Sequence, residues 1–306
     1  MFKYLMNYPF YFDPKNTSNL FGLKENFDFL SKLYSNNKLP KVLMLSGNMG
    51  VGKSTLINHF LFSIFDSKNY DNIRYKLING SPFLNQFKNN FFSNIIYISG
   101  SDFKSVKIDD IRNLKTKISK STILDKDRFV VLDDVEIFNK NSLNALLKLI
   151  EEPTNNSYFI LINNKSVPLL ETIKSRALEV KVILNENQRL EIIDNLISFF
   201  KLEPKLEPND SQLSPGNFLK FNYLCNEYDI SIENDFIDNL SLLLNLYKKN
   251  KDILFMNFAY FIAEYHFNNL INDNALYKEK IFEIKSYVFE SLNHFLMYNL
   301  NQSVLI

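Results

Sequence analysis

"GNMGVGKST", residues 47–55, decides how the rest of the chain reads. Three of the seven glycines, Gly47, Gly50 and Gly52, fall within six residues of an otherwise glycine-poor sequence. The stretch fits G-x-x-x-x-G-K-[ST], with Gly47 and Gly52 at the fixed ends and Lys53 and Ser54 after them. Glycines let a backbone turn where a Cβ would clash, so the N–H groups of successive residues can point inward at phosphate oxygens. On this reading Gly47, Asn48, Gly50, Val51, Gly52, Lys53, Ser54 and Thr55 form the cradle. A helix beginning near Gly52 adds its positive dipole end, Lys53 reaches the terminal phosphates, and the Ser54 hydroxyl suits Mg²⁺. A structural turn without a ligand is the alternative. The flanks argue against it: "VLMLS" (42–46) reads as a buried strand, and "KSTLINHFLFSIF" (53–65) carries apolar residues at helical spacing.

Working outward, 306 residues with 46% hydrophobic composition can form two or three domains with real cores. A net charge of +1 gives no bulk basic footprint, so any nucleic-acid contact must be local. Phe and Tyr are abundant and Trp is absent, a bias that an AT-rich coding sequence explains equally well. The single cysteine, Cys225, excludes both a disulfide and a cysteine-built zinc site within one chain, which fits a reducing compartment. "MFKYLMNYPFYFDPK" lacks the pattern of a leader, and "ILFMNFAYFIAEYHF" from 253 is interrupted by Glu264 and too short to span a bilayer. The expectation is a cytoplasmic protein with no membrane partner.

From residue 40 to 184, strand-like runs alternate with helical patterns: "VLMLS", "IIYIS" (95–99), "FVVLDD" (129–134), "YFILIN" (158–163) and "LEVKVIL" (178–184). Continuous apolar runs separated by helices predict an α/β layout of parallel strands buried on both faces, with ligands at their carboxyl ends. "ENQRLEIIDNLISFF" follows as a helix, then a Pro- and Asp-rich break, "LEPKLEPNDSQLSPGN". Beyond 230 the chain reads as long amphipathic helices whose apolar stripes serve as an internal core or as a surface for sister subunits. The expected division is a nucleotide-binding module at 1–184, a helical lid at 185–228 and a helical collar at 229–306.

"RFVVLDDVEIF" ends a buried strand in Asp133 and Asp134. A carboxylate there can hold Mg²⁺ or its water shell, which accounts for Asp133; two solvated acids closing a strand are the alternative. In "NSLNALLKLIEEP" (141–153), Asn141 suits a helix cap and Pro153 a stop. "FILINNKSVPLLETIKSRA" (159–177) puts Asn163 and Asn164 at another strand end and Arg176 just before the last strand. Taken alone, Asn164 could be a turn residue and Arg176 a surface charge. Arginine is scarce here, at 74, 112, 128, 176 and 189 only, so lysine is the default surface cation and an arginine points to guanidinium geometry.

The order of these segments, with "LFGLKE" near 20, "VKIDDIRNLKTKI" (106–118), "TIKSRA" and "LSPGN" (213–217), closely resembles the clamp-loader branch of AAA+ proteins, most of all its delta-prime type in the bacterial DNA polymerase III holoenzyme. The resemblance spans about 20–220. It implies an AAA+ P-loop module with a parallel sheet, a small helical lid, and an all-α C-terminal collar that joins gamma/tau-type and delta-type subunits in a hetero-pentamer. It also implies ATP and Mg²⁺ as ligands, and a sliding clamp and primed DNA as partners of the assembly. By the same resemblance Arg176 is a trans-acting arginine finger, Asn164 a nucleotide sensor, and Asp134 stands where hydrolysing relatives carry a water-positioning Glu. Aspartate is one methylene shorter, and a displacement of about 1 Å at a reacting group can cost on the order of 10²-fold in rate. Motor-type gamma/tau subunits carry zinc-binding cysteines and a lid arginine; this chain has Cys225 alone and Asn217 near the lid position, which favours delta-prime. A motor-type ATPase, or another AAA+ protein such as a helicase loader, remains the competing reading. Lys104, Lys107 and Lys115 are candidates for DNA backbone contact, or simply solvated lysines.

Overall fold

A computed structural model describes residues 8–78, 80–100, 106–119, 126–154, 156–273 and 275–298. These form two compact units, one within residues 9–196 with 214–217, the other of residue 8, 197–213 and the described residues of 218–298.

In the first unit the order is α1 (Lys24–Ser35), β1 (Val42–Ser46), α2 (Lys53–Phe65), a small antiparallel pair β2 (Tyr70–Asp71) and β3 (Lys76–Leu77), α3 (Pro82–Lys88), β4 (Ile95–Ser99), α4 (Ile108–Ser119), β5 (Arg128–Asp133), α5 (Lys140–Glu151), β6 (Ser157–Asn163), α6 (Glu171–Lys174), β7 (Leu178–Lys181) and α7 (Glu186–Phe200), the last running into the second unit. The five-stranded sheet is ordered β4-β5-β6-β1-β7, and every pairing is parallel. Alternation along each strand explains the continuous apolar runs. Leu43, Leu45, Phe129, Val131, Ile160 and Ile162 pack against the α1–α2 side, while Val42, Met44, Val130, Leu132, Phe159 and Leu161 pack with α4 and α5. Both faces are therefore core, as a helix-covered parallel sheet requires. β7 departs from the expectation of a run buried over 178–184: the strand ends at Lys181 and is mostly exposed. It is an edge strand, whose Glu179 and Lys181 suit solvent and discourage further pairing.

The segment between β1 and β4 is braced by aromatic rings. Phe62 meets Phe87 edge-on at 5.0 Å, Phe83 meets Phe92 at 4.8 Å, and Phe65 meets Phe92 at 5.0 Å. Beside them Tyr70 stacks on Phe27, and His59 lies fully buried between Tyr70 and the Thr17 carbonyl. A carbonyl only accepts, so His59 Nε2 donates to Thr17 O and Nδ1 accepts from the Tyr70 hydroxyl. Burial pushes the imidazole down to about 3 from its ordinary 6.5, so it folds neutral. The unfolded chain takes up that proton first, and stability should fall below pH 6.5 by up to about 1.4 kcal/mol per pH unit. Urea unfolding at pH 7 and pH 5 is expected to show a steeper loss for wild type than for His59→Gln, which has nothing to titrate there. Equal losses would remove His59 from the acid sensitivity.

The second unit is helical: α8 (Pro208–Ser211), α9 (Pro215–Tyr228, whose first residues belong to the first unit), α10 (Phe236–Asn250), α11 (Ile253–Asp273) and α12 (Lys278–Tyr298). α11 packs between α10 and α12 and is buried along Phe255, Met256, Phe258, Ala259, Ile262 and Ala263. α12 buries Leu292 and Phe295, while Phe282, Ile284, Tyr287 and Met297 stay exposed. α9 begins inside the expected break; Pro215 stands in its first turn, where a missing N–H costs nothing. Among the described residues no helix is long and apolar enough to cross a membrane.

Candidate nucleotide site

Loop 47–52 leaves the carboxyl end of β1 and enters α2. Its first residue must be glycine: a Cβ on Gly47 would lie 2.2 Å from the Val182 carbonyl oxygen. Gly50, at φ +83, is pressed from the other side, where a Cβ would lie 2.3 Å from Ser214 Oγ and 2.9 Å from Asn217 N. The segment Ser214–Asn217 therefore covers the loop. The Gly216 N–H donates to Gly50 O at 2.8 Å, and Ser214 Oγ donates to Met49 O at 2.7 Å.

Lys53 is 3% exposed, and its Nζ donates to Gly47 O at 2.6 Å and Asn48 O at 2.7 Å. Burial lowers the ammonium to about 8, against the pull of Asp133, Glu136 and Asp134. Ser54 Oγ donates to Asp133 Oδ2 at 2.7 Å, and the Tyr97 hydroxyl donates to the same oxygen at 2.6 Å. Burial, then the neighbouring Asp134 charge, raises the Asp133 pKa, and the two hydroxyl donors oppose them. Asp134 adopts the left-handed conformation at φ 54, which Asp tolerates better than most residues. Its Oδ1 accepts from Asn164 Nδ2. Asn163 sits one residue earlier, closing β6; its Oδ1 accepts the Lys165 N–H and its carbonyl the Gly47 N–H.

The fold thus gathers the loop, Lys53, Ser54, Asp133, Asp134 and Asn164 at the carboxyl ends of β1, β5 and β6. Arg176 is outside this set: Nε and Nη2 donate to Glu151 Oε1 at 2.8 and 2.7 Å, Nη1 donates to Thr172 O at 2.9 Å, and the side chain is 36% exposed. The cap of α5 is Asn139, whose Oδ1 accepts the Ser142 N–H, and not Asn141; the helix starts two residues earlier because Lys140 already has helical geometry. Lys107 and Lys115 are exposed, and Lys104 lies outside the described residues.

Tyr97 and Glu136 belong to the site although the sequence reading passed over them. Glu136 is 4% exposed, and its Oε1 accepts the Asn164 N–H at 3.0 Å and the Ser166 hydroxyl at 2.8 Å. A signal was present in each case: a phenol in mid-run within "IIYIS" beside the acid-bearing strand, and one acid within apolar "VEIF".

A phosphate-type loop after β1, an inner strand of this sheet, with acids ending β5 and an asparagine following β6, defines an α/β P-loop module. The chain belongs to the family described as DNA polymerase III, delta subunit, whose model matches residues 22–185. It is 26% identical over 147 residues to DNA polymerase III subunit delta' of Buchnera aphidicola subsp. Baizongia pistaciae, covering 46% of this chain and 44% of the relative. It is 24% identical over 185 residues to DNA polymerase III subunit gamma of Buchnera aphidicola subsp. Schizaphis graminum, covering 60% of this chain and 50% of the relative. The chain thus spans about half the length of these relatives. A solved gamma subunit-related protein from Thermotoga maritima aligns with 91% of this chain and 95% of its own at 15% identity and a TM-score of 0.48. The family match bears out the clamp-loader resemblance read from the sequence, and relatives named delta' and gamma both occur.

Proposed function

We propose that the chain binds ATP with Mg²⁺ at this site and works as a delta-prime-like clamp-loader subunit. In that role it helps load a sliding clamp on primed DNA and donates Arg176 to the ATP site of a neighbouring gamma/tau-type subunit. The residues present fit the ligand: the glycines leave a cradle without Cβ atoms, Lys53 supplies the phosphate cation, and Ser54 beside Asp133 makes an oxygen pair for a hard cation. When bound, the metal would neutralise phosphate charge; the chain's own groups hold and orient the nucleotide. The observation that carries the donating role is the way Arg176 is displayed. Glu151 and Thr172 fix the guanidinium plane while the side chain stays partly exposed, so a planar fork is offered outward. Asp134 supports binding over hydrolysis, since its short carboxylate is already bonded to Asn164. The division into a module at 1–184, a lid at 185–228 and a collar at 229–306 belongs to this proposal, with the exposed rings of α12 offered to sister subunits in a hetero-pentamer, and with a cytoplasmic location. DNA contact through Lys107 and Lys115 on or beside α4 would be salt-dependent.

The intact loop favours a second reading, a motor-type ATPase. In either case Lys53→Ala in the purified chain is expected to weaken ATP binding more than tenfold, since it removes a charge-assisted contact. Fluorescence anisotropy with a labelled ATP analogue measures this, and equal affinities would overturn the ATP assignment. ATP turnover by the isolated chain that disappears with Lys53→Ala would favour the motor.

A further inference from the structure

We propose that Glu136 is a positioning residue that fixes the turn after β6 and so sets how the site tells ATP from ADP; this rests on the ATP-binding reading. Glu136 follows β5, yet its bonds go to the neighbouring strand end. Oε1 accepts the N–H of Asn164 at 3.0 Å, the N–H of Ser166 at 3.4 Å and the hydroxyl of Ser166 at 2.8 Å. Between those N–H groups Lys165 takes the left-handed conformation at φ 57, and its own N–H is bound by Asn163 Oδ1 at 2.8 Å. Two backbone donors converging on one anionic oxygen make an anion-binding concavity, here filled by the chain's own carboxylate. The second oxygen, Oε2, is buried and accepts no hydrogen bond from the described residues. A buried, half-satisfied carboxylate is costly and calls for an explanation other than stability.

The explanation lies in Asn164. Its backbone is held by Glu136 and its side chain by Asp134, so the amide has one position against Asp134. A group that responds to a terminal phosphate must be held at fixed depth, because a loose amide would follow either nucleotide. Glu136 also adds negative charge facing Lys53 from the protein side, together with Asp133 and Asp134.

The test measures affinities for labelled ATP and ADP separately in the purified chain. Glu136→Ala is expected to lower the ATP-over-ADP preference about tenfold, the worth of one charge-assisted hydrogen bond, with ADP affinity nearly unchanged. Glu136→Gln keeps an oxygen acceptor and should recover most of the preference. Ser166→Ala removes one of the three donors and should give a smaller loss; both variants read the same quantity if the alanine at 136 fails to fold. An unchanged preference in Glu136→Ala, an equal loss for both nucleotides, a glutamine as damaging as the alanine, or a wild type without preference would each overturn the proposal. Lys53→Ala tests the underlying reading separately: if it binds ATP as wild type does, the site is not a nucleotide site, whatever Glu136 does.

Discussion

Arg176→Ala, introduced into a reconstituted clamp loader, should reduce the clamp- and primer-stimulated ATPase by about 10³-fold or more, the lower end of what arginine fingers contribute in phosphoryl transfer. The expectation follows from geometry. Among the described residues the Arg176 side chain bonds to Glu151, Thr172 and Ser175 and to none of the loop-site groups, so its loss leaves Lys53, Ser54, Asp133 and Asn164 of this chain intact. The purified variant should bind ATP as wild type does, and the deficit should appear only in the assembly. Lysine at 176 should rescue little, since it offers a point charge in place of a planar fork. In the same assay Lys53→Ala should cost far less if the chain is a stator-like donor. A reversal, with Lys53→Ala abolishing turnover and Arg176→Ala sparing it, would make the chain a motor and leave Arg176 a surface residue.

Phe62→Ala should destabilise the first unit by about 3–5 kcal/mol, the range for removing a fully buried ring. Phe62 has no exposed surface and meets Phe83, Phe87 and His59 as ring neighbours. Each such contact adds a share of about 0.5–1.5 kcal/mol beyond area alone. A loss below about 1 kcal/mol, read from the urea midpoint and slope, would show that the segment between β1 and β4 does not depend on these rings. Phe91→Ala is the control: it lies in the same segment of the first unit, is 79% exposed and should cost well under half as much.

Much of the sheet was legible because buried parallel strands are written as uninterrupted apolar runs, and both the 42–46 and 95–99 runs coincide with strands. β7 misled for the same reason: "LEVKVIL" looks apolar, but an edge position has only one neighbouring strand, and burial depends on neighbours the sequence does not name. The loop residues were legible because a steric requirement confined to a few bonds leaves glycines at fixed spacing. Tyr97 and Glu136 were not, since their roles arise from register: β4 lies beside β5 with Ser99 opposite Asp133, and the end of β5 lies beside β6. Asn164 was placed correctly at its strand end, yet what holds it there comes from another segment, 28 residues earlier. The α5 cap shifted from Asn141 to Asn139 because two asparagines two residues apart offer the same chemistry, and only the backbone chooses.

The pairing of Arg176 with Glu151 has a consequence for encounter rather than for catalysis. A guanidinium that travels with its own counter-ion is electrically quiet at a distance, because the two opposite charges cancel beyond about a Debye length, ~8–10 Å at ordinary ionic strength. Stray polyanions in a crowded cell would feel little pull from it. A ligand that reaches this surface must exchange places with the carboxylate, so the free energy gained is that of a swap between two anions and not of a bare attraction. Such a swap favours a multiply charged, shape-matched oxyanion over a passing one, and it is as easily undone as made.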